Sequence, residues 1–207
     1  MCFISNDAGR YSMTVIIRAF PSYSPRKNHI IHHDLFDTNR SIRNFPTCPP
    51  LPPPPTDPLP THRRALRLTS SPSPDGPLTE LITEPLPRLA PTSVLIKIHC
   101  ASLNYRDANI AHRSNPWPVI PNVILGNDAA GSVIAVGEKV SLLKVGDRVA
   151  PVNDTGNLTG REKGRSWLGA DEDGVLADYV LFDERVVSKL PEGLGWREAS
   201  VVPCAGT

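Results

Sequence analysis

A few residues could do chemistry on type and spacing alone. His29, His32, His33 and Asp34 fall within six residues. Imidazole and carboxylate groups at such spacing suit a metal ion. Nothing in the surrounding sequence fixes their geometry, so a solvated loop is expected. Arg43, Pro46 and Pro49 fit a basic-xx-PxxP pattern of the kind SH3 domains read. In so proline-rich a tract, chance explains the match. Four cysteines, Cys2, Cys48, Cys100 and Cys204, are scattered without a CxxC pair. That argues against a zinc ribbon or a disulfide scaffold and for a reducing compartment. Three glycosylation sequons begin at Asn39, Asn153 and Asn157. Without a signal-peptide pattern they carry no weight.

The elements that would position such residues are unevenly distributed. The chain has 207 residues, 23 of them proline, and 15 of these lie in residues 46–91. Twelve of the 14 glycines lie at or after Gly126. Net charge is +3 over residues 1–90 and −2 over 91–207, giving +1 overall. So even a balance excludes nucleic acid and an anionic membrane surface as expected partners. No apolar run approaches the roughly 20 residues of a membrane span. A hydrophobic share of 40% is enough for a packed core.

Residues 1–62 show neither helical nor strand periodicity and are expected to be a disordered, proline-rich extension. Proline lacks an amide donor and fixes φ, so residues 46–60 default to polyproline II. Residues 8–33 lack acids and contain Arg10, Arg18, Arg26 and Lys27. This gives a mitochondrial presequence as the weaker alternative to a cytoplasmic location, since Pro21 and Pro25 interrupt any helix.

From Ala65 onward the pattern is strand-like. Strands are expected at Ala65–Thr69, Leu78–Glu84, Val94–Ser102, within Val123–Val136, at Arg148–Ala150, at Gly174–Phe182 and at Val186–Val187. In Val94–Ser102, Val94, Ile96, Ile98 and Cys100 share the buried face, with Lys97 and His99 on the wet one. Cys100 reads as a small core residue. Asn104–His112 is expected to be a short helix. Gly131 and Gly137 suit close backbone approach, and Gly146-Asp147 a turn with positive φ. Short strands with frequent turns give a mainly β fold, barrel or sandwich.

The order of several segments carries a resemblance. They are VLIKIHCASLNYRD from Val94 to Asp107, GNDAAGSVIAVGEKV from Gly126 to Val140, KVGDRV from Lys144 to Val149, GVLADY from Gly174 to Tyr179, and KLPEGLGWREASVVPCAGT from Lys189 to Thr207. Together they resemble the GroES-like catalytic domain of medium-chain dehydrogenases/reductases. The resemblance covers about residues 63–207. It implies a partly open GroES-like barrel with short helices over 63–190, and a connector toward a cofactor domain over 191–207.

Zinc-dependent members of that family have a cysteine where this chain has Asn104, and histidine-glutamate where it has Asn127-Asp128. Amides are poor zinc ligands. Residues 150–173 contain no cysteine, whereas the family's structural zinc lobe has four. Arg106 stands where zinc members relay protons through Ser or Thr. The resemblance is therefore to the zinc-independent, quinone-oxidoreductase-like branch, with no metal. It implies hydride transfer between NADP(H) and a quinone, enone or other carbonyl substrate, and is compatible with a homodimer. It places Asn104 and Tyr105 in the cleft as donors and Asn127 beside them. Asp107 would orient the 104–107 turn, and Thr207 would approach the nicotinamide. A bland alternative for Asn104 and Asp107 is helix capping alone.

A dinucleotide domain announces itself by a strand, a GxGxxG-like turn and a helix whose N-terminus binds pyrophosphate. Gly193-Leu-Gly195-Trp-Arg-Glu198 has glutamate in the third glycine's place and follows Pro191, not a full strand. The Rossmann domain is thus expected to be absent from this chain. A truncated gene model, a fragment or a decayed copy, inactive alone, is the corresponding expectation. The alternative is a non-enzymatic GroES-like module that binds through its proline-rich tail.

Overall fold

The computed structural model describes the backbone of residues 2–7, 10–15, 58–69 and 78–204, with side chains from residue 58 onward. His29 to Asp34, the PxxP match, Asn39 and Thr207 lie outside the described residues. The first strands are β1 (Cys2–Asp7) and β2 (Arg10–Val15), within the segment expected to be disordered. They pair with each other, and β1 adds to the C-terminal end of β5 (Ser93–Leu103) through Cys2↔Leu103 to Ser5↔Cys100.

Strand β5 is the spine. On one edge it pairs with β6 (Asp128–Val136) along nearly its whole length. On the other edge β1 takes the C-terminal half and β8 (Tyr179–Asp183) the N-terminal half. The sheet continues through β7 (Arg148–Pro151) to β9 (Val187–Lys189). The path runs β2-β1-β5-β6-β7-β9 and does not close on itself. Strands β3 (His62–Leu68) and β4 (Thr79–Pro85) form a separate hairpin. The fold is mainly β, and the barrel is open.

The alternation read in β5 is half the story. Val94, Ile96, Ile98 and Cys100 are buried as expected, but so are Leu95 and Ala101. Lys97 and His99 are half-buried, not wet. A strand covered on both faces loses its polar alternation. Two expected strands are also shorter than their sequence pattern. Residues 174–176 send their amides to the carbonyls of Ile124, Gly126 and Leu125. The segment before β6 is in turn bonded to β3, through Leu125 N–H to Leu66 O and Leu68 N–H to Val123 O. These backbone groups are satisfied across three segments, which an apolar run cannot announce.

Glycine makes this crossing possible. A Cβ on Gly174 would overlap the carbonyl of Gly126, and one on Gly131 the carbonyl of Lys97. Gly146 has φ of 92°, as its turn requires. The β3–β4 hairpin is tied down by charge. Arg67 bonds Glu84 and Asp173 at 2.8 and 3.0 Å, and Arg63 bonds Glu84 at 2.8 Å. The Arg67 hydrogen bond is the main reason the Glu84 carboxyl is held below the usual carboxylate range.

Candidate functional site

The helix α1 (Tyr105–Ala111) starts where β5 ends. Asn104 is its N-cap and Asp107 its third residue. The Asn104 N–H donates to Asp107 Oδ2 at 2.7 Å, and Asp107 N–H returns to Asn104 O at 3.0 Å. Asn at N-cap with an acid at N3 is a capping-box arrangement. It fixes the helix start against the strand.

The same asparagine reaches across to β6. Its Nδ2 donates to Asn127 Oδ1 at 2.9 Å and to Asp128 Oδ2 at 2.8 Å. Asn127 Nδ2 in turn donates to Asn153 Oδ1 at 2.9 Å. Asp128 Oδ1 accepts the Cys204 N–H at 2.7 Å. Four separate segments thus meet in one polar knot: the end of β5, the start of β6, the loop after β7 and the C-terminal connector. Asn127 is 1% exposed and Asp128 fully buried. A buried network of this kind is stable only when its members are satisfied.

Asn104 and Asn127 are brought together, as the resemblance implies, and Asp107 holds the turn between them. Both amide protons of Asn104 are engaged by protein acceptors. Asn104 therefore anchors the end of β5 to the start of β6. Tyr105 is 83% exposed, and no described residue holds its hydroxyl. Sequence reading missed Asp128, Asn153 and Cys204 as members of the knot. Asp128 was legible as the neighbour of Asn127. Asn153 had no signal, because only the path of the 150–173 loop brings it there.

Burial pushes the Asp107 carboxyl above the ordinary carboxylate range, against the pull of its bond from Asn104 and of the Arg106 charge. Burial also pushes the Cys204 thiol up, and the Asp128 charge adds to this. A thiol held protonated is a poor nucleophile and a poor metal ligand. Beside the knot, Arg106 Nη1 donates to Leu168 O at 3.0 Å, and its guanidinium lies 5.7 Å from the centre of the Trp167 ring. Trp167 meets Trp117 edge-on at 5.5 Å.

The connector is pinned by a second cluster. Trp196, in α2 (Trp196–Ala199), stacks on the His99 ring at 4.5 Å. The Arg148 guanidinium covers the Trp196 ring at 4.2 Å, and Arg148 also donates to Leu194 O. His99 meets Ser132 Oγ at 2.9 Å. This clamp delivers Cys204 to Asp128.

The alcohol dehydrogenase GroES-like domain family matches residues 90–192. The chain belongs to the medium-chain dehydrogenase/reductase superfamily. It is 35% identical over 121 residues to a zinc-type alcohol dehydrogenase-like protein of Schizosaccharomyces pombe, covering 57% of this chain and 35% of that protein. It is 30% identical over 154 residues to a trans-enoyl reductase of Acremonium sp, covering 72% and 38%. A candidate alcohol dehydrogenase of Sinorhizobium meliloti superposes with TM-score 0.63 at 28% identity, covering 72% of this chain and 44% of that one. The chain therefore spans well under half the length of these members of the superfamily.

Two groups common in such a superfamily can be tested against the residues present. Catalytic zinc needs deprotonated thiolate, imidazole or carboxylate donors. Here the knot sets two amides beside the Asp128 carboxylate, and among the described residues no group of three or more His, Cys, Asp or Glu side chains is placed to hold a metal ion. A dinucleotide needs a glycine-rich turn between strand and helix. Gly195 is instead the N-cap of the four-residue α2, and the nearest preceding strand, β9, ends at Lys189. The described residues hold no pyrophosphate cradle, and no helix among them is long and apolar enough to cross a membrane.

Proposed function

We propose that this chain supplies the substrate-side wall of a zinc-independent, NADP(H)-dependent oxidoreductase acting on a conjugated carbonyl or quinone. The observation that carries the reading is the Asn104–Asn127–Asp128 knot. In it, amides occupy the positions where zinc-dependent relatives have metal ligands, and they satisfy one another. A nicotinamide cofactor supplies the hydride when bound. The part left to these residues is geometry and polar contact with the substrate oxygen, where negative charge develops. Asn104, Asn127 and Asp107 hold the wall. Tyr105, with an uncommitted hydroxyl, is the proton donor in this proposal, and Thr207 is the contact toward the nicotinamide. The free thiols of Cys100 and Cys204 fit a reducing, cytoplasmic setting.

The test is to purify the protein from its own cells, at whatever length it is made. NADPH oxidation is then followed with enones and quinones, with and without a chelator. Turnover indifferent to chelator, with sub-stoichiometric zinc in the preparation, is expected. Activity lost to chelator and regained with zinc would overturn the zinc-independent reading. The trans-enoyl reductase relative makes enones the first substrates to try.

A further inference from the structure

Arg106 is placed in a way that the knot does not explain. It leaves α1 toward the loop after β7, and Nη1 is used by Leu168 O. Its Nη2 is buried and has no hydrogen-bond acceptor. No carboxylate comes within ion-pair distance of it among the described residues. A buried charged donor left without an acceptor is costly, and proteins keep such groups where a ligand completes them.

The surroundings narrow what that ligand is. Trp167 lies beneath the guanidinium, and Trp117 abuts Trp167 at an interplanar angle of 76°. The two indoles make a corner with broad aromatic walls. Trp117 is 57% exposed, so the corner opens to solvent on that side. Arg165 adds a second guanidinium, also 5.7 Å from the Trp167 ring centre. Arg106 lies in α1 between Tyr105 and Asp107, within one turn of the Asn104 cap, which places the corner beside the knot.

We propose that Arg106, Trp117 and Trp167 form a specificity subsite for a planar, conjugated carboxylate. Its carboxylate accepts from Arg106 Nη2, and its π-system lies against the indoles. The Arg106 charge favours an anion over a neutral carbonyl, Arg165 being paired with Asp154 at 4.0 Å. Crossed aromatic walls favour a flat chain over a saturated one. The location next to the reacting cleft rests on the proposed function, but the binding itself does not.

The probes are sorbate, its uncharged amide and saturated hexanoate, titrated into the 207-residue chain and followed by tryptophan fluorescence. Sorbate should bind ~10-fold or more tightly than the amide, and more tightly than hexanoate. R106M should erase the preference for sorbate over its amide while the amide's own affinity holds. W117A should weaken both. Equal affinity for sorbate and its amide, no binding of either, or a folded R106M that still prefers sorbate would each overturn the subsite. Equal affinity for hexanoate would overturn the conjugated part. If R106M does not fold, the guanidinium resonances of the unsubstituted protein decide. An Arg106 signal moved by sorbate and not by the amide supports the proposal, and an unmoved one overturns it. No nicotinamide enters this experiment, so its failure leaves the hydride chemistry untouched, and the reverse also holds.

Discussion

Replacing Trp196 with alanine should release the connector without unfolding the sheet. The clamp has two parts that the substitution removes. One is the stacked contact with His99 at 4.5 Å and 25°. Such aromatic pairs contribute roughly 0.5–1.5 kcal/mol beyond area burial. The other is the Arg148 guanidinium over the ring at 4.2 Å. A partly desolvated cation–π contact contributes roughly 0.5–2 kcal/mol. Together they imply about 1–3.5 kcal/mol of docking free energy for residues 194–204, or roughly a 5- to 400-fold rise in the undocked population. The core packs mainly on β5, β6, β7 and β8, so the global melt should move much less. The reporter is Cys204, whose N–H is held by Asp128 Oδ1 at 2.7 Å in the docked state. Its alkylation rate, read peptide by peptide by mass spectrometry, follows local opening. In W196A the rate should rise by that factor while the global unfolding midpoint moves much less. An unchanged Cys204 rate in a folded W196A would refute the clamp. A global unfolding free energy lowered by as much as the docking free energy would show the ring to be ordinary core.

Three further expectations follow from the same geometry. Asn104→Ala leaves Asn127 Oδ1 and Asp128 Oδ2 without their donor, so stability should fall by about 2–4 kcal/mol, read by denaturant melts. A loss below half a kilocalorie would mean that the knot is not holding the wall. Gly131→Ala drives a Cβ into the Lys97 carbonyl and to 2.8 Å from Ile96 Cγ2. It should cost about 3 kcal/mol by thermal or urea unfolding, with an unshifted midpoint counting against the close approach of β5 and β6. The Glu84 carboxyl is held below its ordinary value of 4.5, so its stabilising contribution is full above that pH and is lost as pH falls through the lowered folded value. Glu84→Gln should remove that segment of the acid-unfolding curve and destabilise the hairpin at neutral pH; an unchanged acid limb would assign the pH dependence to other carboxylates.

The residues that make strands were legible because their causes are local. Val94, Ile96 and Ile98 alternate in a run of branched side chains, and they form the buried face of β5. Gly146 stands in a turn that needs positive φ, and it has it. Asn104 before a helical stretch with an acid three residues later reads as an N-cap and is one. The segment 174–176 reads as strand because apolar content cannot tell a ladder from a crossing. Its amides go to residues 124–126, and only the path of the chain decides that. The hairpin of β1 and β2 is missed because the alternation of Arg10–Val15 lasts only six residues, and the pairing on β5 spans most of a hundred residues of sequence.

The sequence by itself determined the superfamily and the ligand types at the cleft, because side-chain chemistry travels with the residue. Amides at 104 and 127 are amides in any fold. Tertiary structure alone decided what those amides do. It brought Asn153 from one loop and Cys204 from the connector to within hydrogen-bond reach, and so spent donors that the sequence left available. It also left the donor Arg106 Nη2 buried and unused. Hydrogen bonds are short and directional, so a donor's availability depends on its neighbours to within an ångström. That precision is a property of packing and cannot be read from residue types in a row.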